Sequence, residues 1–336
     1  MKKKKKEKKI LYQLIFSAFL LFSNAYLVKA NSDILSQDST GKYCINTEQD
    51  YYNFIENIQN YNNKTVILCN DIDISDVPEA TSSFGGILNG KGHTITYASK
   101  EAKENIAVFP FRINDNGIVE NINVQIDESY AYNSETDEFQ TVFSQCDGIA
   151  KGITIKGNVT CIYDDEDENV SIGAIEGNGT LMDSSIAITY DLQSEKTIEE
   201  IAEDIVENDL EFEFCQLGTT YTGITYQNCI GYGQYSEAIK SLADELEPKI
   251  EDDTWGYLCV SFTRKSFSST SASATNCYYD KENMPDIKIR SEYIANRDNN
   301  KEFPNYADFG KTTSKMKNQG TYEGFDFNKK WTISRC

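Results

Sequence analysis

Residues that could do chemistry are few and widely spaced. His93 is the one histidine in 336 residues, and it stands in Gly90-Lys91-Gly92-His93-Thr94-Ile95, a glycine-marked turn running into a strand. A histidine with no cysteine or second histidine close by is a poor metal ligand. Any histidine-dependent triad would have to use it, and the peptidase signature H-E-x-x-H is absent. Carboxylates remain. Enzymes that cleave acidic polysaccharides pair calcium ligands with an Arg or Lys base, and glycoside hydrolases use paired carboxylates. Only five arginines occur, Arg112, Arg264, Arg290, Arg297 and Arg335, and no aspartate pair recurs from strand to strand. Asp71 and Asp73 alternate with Ile72 and Ile74, which places them on one solvated strand face. The run Asp164-Asp165-Glu166-Asp167-Glu168 is charged enough to attract Ca2+. It lacks the alternating ligands and glycine of a dedicated loop, so it reads as a solvated tip, and no cofactor is expected. Tyr221, Tyr226, Tyr232 and Tyr235 are candidates for a strip that stacks on sugar rings.

The elements that must position these groups are short. Thr47 and Asp50 form a weak capping box ahead of Tyr51, Phe54, Ile55 and Ile58, which share one helical face. Strand patterns follow at 65–69 and 71–74. From Phe84 onward a glycine-punctuated line recurs. It reads Gly117-Ile118-Val119-Glu120-Asn121-Ile122, then Gly152-Ile153-Thr154-Ile155, Thr180-Leu181-Met182-Asp183, Gly223-Ile224-Thr225-Tyr226-Gln227-Asn228-Cys229, and finally Ala274-Thr275-Asn276-Cys277. Superposed in that way, Ile118, Ile153, Leu181 and Ile224 should form one column. Asn121, Asn228 and Asn276 take equivalent places, where asparagine suits a turn with left-handed backbone.

Strands this short bury too little alone, so the repeats are expected to stack as a right-handed parallel β-helix, an all-β solenoid with an aliphatic interior. Insertions are expected at 127–140, 191–211 and 234–254. The last two read as helices: Thr197 and Glu200 form a capping box, Ile198, Ile201, Ala202, Ile205 and Val206 make one apolar stripe, and Ile239, Leu242, Ala243 and Leu246 make the other. The predicted layout is a leader at 1–30, an N-terminal arm and capping helix at 31–64, the stack at 65–285 and a C-terminal capping segment at 286–336.

All nine cysteines lie beyond residue 30, so at least one stays unpaired or joins another chain, and no C-x-x-C spacing occurs. Cys229 and Cys277 match between repeats; Cys146, Cys215 and Cys259 match if the apolar runs before the repeats are superposed. Both sets are expected as ladders of buried free thiols.

Charge sets the company the protein keeps. The chain carries −21, and −28 without residues 1–30. No basic face is left for nucleic acid, and anionic membranes or polyanionic substrates are repelled. Lys2 to Lys9 and the apolar run densest from Leu14 to Phe22 precede Val28-Lys29-Ala30, a secretory pattern with cleavage expected between Ala30 and Asn31. After its removal no segment is long and apolar enough to insert in a membrane.

The order of motifs resembles exported right-handed parallel β-helix proteins with GLUG-type repeats. The resemblance rests on Ile45-Asn46-Thr47-Glu48 with Phe54, Asn70 to Ile74, Phe84 to Ile95, Gly117 to Ile122 and Asn276 to Tyr279, and on the closing Thr312 to Met316 with Phe325, Phe327 and Trp331. It implies a structural role for His93 and a place among surface or secreted, mostly bacterial proteins that act in adhesion or polysaccharide contact. The expected function is non-catalytic adhesion or binding at the cell surface or outside the cell, to a glycan or protein. The alternative is a carbohydrate-active β-helix enzyme, a polysaccharide lyase or glycoside hydrolase.

Overall fold

Val66, Leu88, Val119, Ala150, Leu181 and Tyr226 each lie inside a strand of three or four residues, and all are buried. A three-residue strand has one inward side chain, so it is stable only if its neighbours continue the same column. They do: the six residues pair in parallel register, each opposite the next, and Tyr226 pairs on to Ala274. The computed structural model describes residues 35–75, 77–78, 80–98, 107–131, 139–163, 169–218, 223–263, 273–292, 294–295, 306–328 and 331.

The protein is rich in β-structure, and its strands form three sheets joined almost entirely by parallel pairing. Sheet 1 has nine short strands, from Ser36–Gln37 and Tyr43–Ile45 to Thr225–Gln227 and Ser273–Thr275. Sheet 2 also has nine, among them Thr94–Ala98, Asn123–Ala131, Thr154–Ile162 and Ser185–Gln193. Sheet 3 has six: Phe109–Ile113, Phe139–Cys146, Val170–Ile175, Glu211–Cys215, Tyr257–Ser261 and Ile287–Ile289. From Ile87 onward the chain visits sheets 1, 2 and 3 in turn, and each pass adds a strand beside its predecessor. Contacts between successive passes recur at one interval: Asn89 to Glu120, Gly92 to Asn123, Asp147 to Asn178 and Ile153 to Ser184 each span 31 residues. The interval lengthens to 45 between Asp183 and Asn228 and to 48 between Asn228 and Asn276, where helices are inserted.

Between sheets 1 and 2 the chain turns on one left-handed residue per pass: Asn121, Gly152, Asp183, Asn228 and Asn276 have φ of 51° to 62°. Short polar side chains and glycine pay least for that conformation. Each of the first four donates its N–H to the next strand, to Lys151, Met182, Gln227 and Thr275 respectively, at 2.9–3.0 Å. The side chains form a ladder too, with Asn276 donating to Asn228 at 3.3 Å and Asn228 to Asp183 at 2.9 Å. Gly324 backs onto the last rung, where a β-carbon would overlap Asn276.

This register corrects the predicted repeat. Gly117-Ile118 aligns with Gly148-Ile149, not Gly152-Ile153. Ile118 therefore pairs with Ile149, which pairs on to Thr180, Leu181 belongs to the column of Val119, and Ile153 sits at the turn beside Ser184. The four residues proposed as one column occupy four different register positions. Segment boundaries shift for a related reason. Residues 127–131 and 139–140 of the first insertion are strand, since Asn123–Ala131 runs in register with Thr154–Ile162 and the next strand starts at Phe139, while 132–138 lie outside the described residues. Ser185–Gln193 likewise extends into 191–211, Gln234–Tyr235 pairs with sheet 2, and sheet 1 begins inside the N-terminal arm with Ser36–Gln37 and Tyr43–Ile45.

Helix α1, Glu48–Glu56, buries Tyr51, Phe54 and Ile55, and Thr47 accepts from the Asp50 N–H. The Tyr51 hydroxyl donates to Val108 O at 2.6 Å, tying the helix to the chain entering sheet 3. Helices α2, Ile198–Glu207, and α3, Glu237–Leu246, pack on each other with their apolar stripes buried. Lys249 lies between them, 3.4 Å from Glu203 and 3.5 Å from Glu245. A disulfide joins Cys44 to Cys69.

Candidate ligand-binding face

Alternation on the long strands of sheet 2 turns Ile95, Tyr97, Val124, Ile126, Ile155, Val159, Ile186, Ile188 and Tyr190 into the core. The intervening residues must then face out, and the parallel register sorts them into rows whose members lie about 4.8 Å apart. One row runs Thr94, Asn123, Thr154, Ser185; the next runs Thr96, Gln125, Lys156, Ala187; a third runs Ala98, Asp127, Asn158, Thr189. Gln125, Lys156 and Asn158 are exposed, and the threonines are half-buried. The charges on this face are Asp73, opposite Thr96, with Asp127, Asp191 and Lys156, so it is acidic like the rest of the chain. Between them it offers hydroxyl and amide donors and acceptors in parallel rows.

Gly157 keeps the array flat. Its φ of +145° carries the chain past Ile126, and a β-carbon there would overlap the Ile126 carbonyl. At one margin Asp71 accepts from the Thr94 N–H at 2.9 Å and stands 3.0 Å from His93 Nδ1. The Thr94 N–H, and then the His93 contact, hold the Asp71 carboxyl below its ordinary range. The other margin is aromatic. The first row continues from Ser185 to Ile230 and Tyr278, and onto these fold Met316, Tyr322, Phe325, Phe327 and Trp331. Tyr232 stands beside them, 41% exposed, its hydroxyl 3.0 Å from that of Tyr322. Burial is the main cause that raises its hydroxyl above the ordinary tyrosine value.

The tyrosines proposed as a strip are not brought together. Among the described residues of that set, Tyr226 is wholly buried in the core, Tyr235 is buried and donates to Ser261 O at 3.2 Å, and Tyr232 reaches solvent. Tyr221 lies outside the described residues, as do Ala30, Asn31 and the run 164–168. Strands of two or three residues carry too little alternation to reveal which tyrosine points inward.

Of the cysteines, the register sets Cys229 beside Cys277, both buried and each close enough to shift the other's titration. Cys146, Cys215 and Cys259 share no column. Cys215 faces Ser261 with Sγ 3.5 Å from Oγ, Cys259 lies opposite Glu213, and Cys146 pairs with Ile113. The Glu211–Cys215 and Tyr257–Ser261 strands are offset by two residues from the alignment of apolar runs that suggested a ladder. Burial, with Asp147 adjacent, pushes the Cys146 thiol up to about 12.

Sequence reasoning missed a carboxylate pair. Glu211 and Glu213 share the outward side of sheet 3, and the Tyr257 hydroxyl lies 2.9 Å from one and 2.8 Å from the other, with Ser171 Oγ 3.4 Å from Glu213. The alternation Glu-Phe-Glu-Phe was the available signal. Glu213 is buried, Glu211 is half-buried, and Tyr257 packs with Cys259 and Ile294. Among the described residues no three His, Cys, Asp or Glu side chains converge as metal ligands, and no helix is long and apolar enough to cross a membrane. No family model, no curated protein and no solved structure matches this chain.

Proposed function

We propose that this chain is an exported, non-catalytic binding protein whose three sheets are the faces of a right-handed parallel β-helix, and that the outward face of sheet 2 binds a neutral, extended glycan. The carrying observation is the row-by-row register of Thr94, Asn123, Thr154 and Ser185 with Gln125, Asn158 and Thr189, ending beside the exposed Tyr232. A polysaccharide presents hydroxyls on its edges and C–H groups on its ring faces. Hydroxyl and amide rows match the first, and an exposed aromatic ring matches the second. An acidic face on a strongly acidic chain repels a polyanion, which favours an uncharged polymer. The leader-like residues 1–30 and the resemblance to GLUG-type exported proteins support a place outside the cell or on its surface.

Affinity electrophoresis of the chain lacking residues 1–30, through gels containing mannan, xylan, β-glucan or hydroxyethyl cellulose, tests the reading. Retardation by at least one polymer is expected, weakened about tenfold in Tyr232→Ala and further in Gln125→Ala/Asn158→Ala; tenfold is about 1.4 kcal/mol. No retardation by any neutral polymer would refute glycan binding. Release of new reducing ends or unsaturated products would replace it with a carbohydrate-active enzyme.

A further inference from the structure

We infer that Cys229 and Cys277 are a redox-closed staple: in the exported protein their two thiols become a disulfide that locks together the last two passes of the chain. Three observations converge on this pair.

The first is geometry. Gln227 pairs with Thr275 and Ile230 with Tyr278, so the residues between them, Cys229 and Cys277, are neighbours on adjacent parallel strands. Such positions hold Cα atoms about 4.8 Å apart, inside the roughly 4.4–6.8 Å that a disulfide spans. Both thiols are buried, and each lies close enough to shift the other's titration.

The second is that closure gives up little. Ser184, Cys229 and Cys277 fill the same turn position in three successive passes, and each donates to the carbonyl two residues earlier: Ser184 to Met182 at 2.8 Å, Cys229 to Gln227 at 3.6 Å, with Leu181 O a second acceptor at 3.5 Å, and Cys277 to Thr275 at 3.5 Å. Losing the two S–H protons leaves the carbonyls of Gln227 and Thr275 still accepting from the N–H groups of Asp183 and Asn228. Thiols are weak donors, so little is given up.

The third is position. The disulfide already present, Cys44–Cys69, lies at the first strands of sheet 1, and Cys229 and Cys277 follow its last two strands. End repeats have a neighbour on one side only and open first, so a cross-link stabilises most there.

The reaction balances with a disulfide oxidant such as glutathione disulfide or an exported dithiol oxidase. One cysteine thiolate attacks the oxidant's disulfide, releasing one thiolate and leaving a mixed disulfide. The second cysteine then attacks the protein sulfur of that mixed disulfide, releasing the other thiol. Two protons and two electrons leave the pair, and the oxidant is reduced to two thiols. Of the two, Cys277 forms its thiolate first, because Cys229 donates to it, while burial pushes Cys229 up.

The test uses the chain lacking residues 1–30, folded with reduced and oxidised glutathione until the Cys44–Cys69 cross-link is complete, then denatured in N-ethylmaleimide and mapped by peptide mass. A Cys229–Cys277 peptide two hydrogens lighter than the sum of its parts is expected. Cys229→Ser, which copies Ser184, should expose Cys277 to the reagent and melt about 5 °C below the parent under oxidising conditions, the gap closing in dithiothreitol. Alkylation of both cysteines beside an intact Cys44–Cys69 bond overturns the inference, as does pairing of either with another cysteine or equal melting of variant and parent when oxidised.

Discussion

Asn228→Ala probes the physical basis of the stack at its most connected turn. Asn228 has φ of +54° and sits in the middle of the side-chain ladder, donating to Asp183 at 2.9 Å and accepting from Asn276 at 3.3 Å. Left-handed backbone costs alanine roughly 1 kcal/mol more than asparagine, and each lost side-chain hydrogen bond costs about 1 kcal/mol net. The expected loss is therefore about 3 kcal/mol, a large share of the ~5–15 kcal/mol by which domains are held folded. Urea unfolding followed by far-ultraviolet circular dichroism measures it. Because Asp183 and Asn228 share a bond, Asp183→Ala combined with Asn228→Ala should cost about 1 kcal/mol less than the separate losses added together. An Asn228→Ala variant within 0.5 kcal/mol of the parent, or strict additivity in the double variant, would refute the ladder as a source of stability.

Three further outcomes follow from separate observations. Gly157→Ala, which drives a β-carbon into the Ile126 carbonyl at a φ that side chains rarely adopt, should cost more than about 3 kcal/mol and lower the yield of folded protein; normal melting would contradict the described path of that strand. The Asp71 carboxyl titrates below its unfolded value, so its contribution is complete above that value and disappears as pH falls through the folded one. Melting curves from pH 6 to 2 should therefore fall less steeply on the acid side in Asp71→Asn, and parallel curves would deny the link. Cys146, buried with its thiol raised to about 12, should resist iodoacetamide at pH 8 in folded protein and react on unfolding; rapid labelling of native protein would place it at the surface.

Helices were the most legible elements. A stripe such as Ile201, Ala202 and Ile205 behind a Thr197–Glu200 capping box has the same meaning in a sequence as in space, because its determinants lie within ten residues. The left-handed turns were legible at Asn121, Asn228 and Asn276, where residue type records backbone strain. Register was not. Gly148-Ile149 and Gly152-Ile153 are equally good matches to Gly117-Ile118 by eye, and only the pairing of Ile149 with Ile118 and Thr180 decides between them. The same slip made a cysteine column of Cys146, Cys215 and Cys259, and left the outward rows of sheet 2 unseen. An outward face assembled from strands 31 residues apart has no local signature at all.

Both ends of the stack meet a strand running the wrong way. Ser36–Gln37 lies antiparallel to Tyr43–Ile45 at the start of sheet 1, and Ile287–Ile289 lies antiparallel to Tyr257–Ser261 at the end of sheet 3. A ladder of parallel strands is an open template, to which a second molecule could add head to tail without limit. Reversing the outermost strand breaks the hydrogen-bond pattern that such growth needs at one edge of sheet 1 and one edge of sheet 3. At those two edges each molecule carries its own obstacle to becoming the first unit of a fibre.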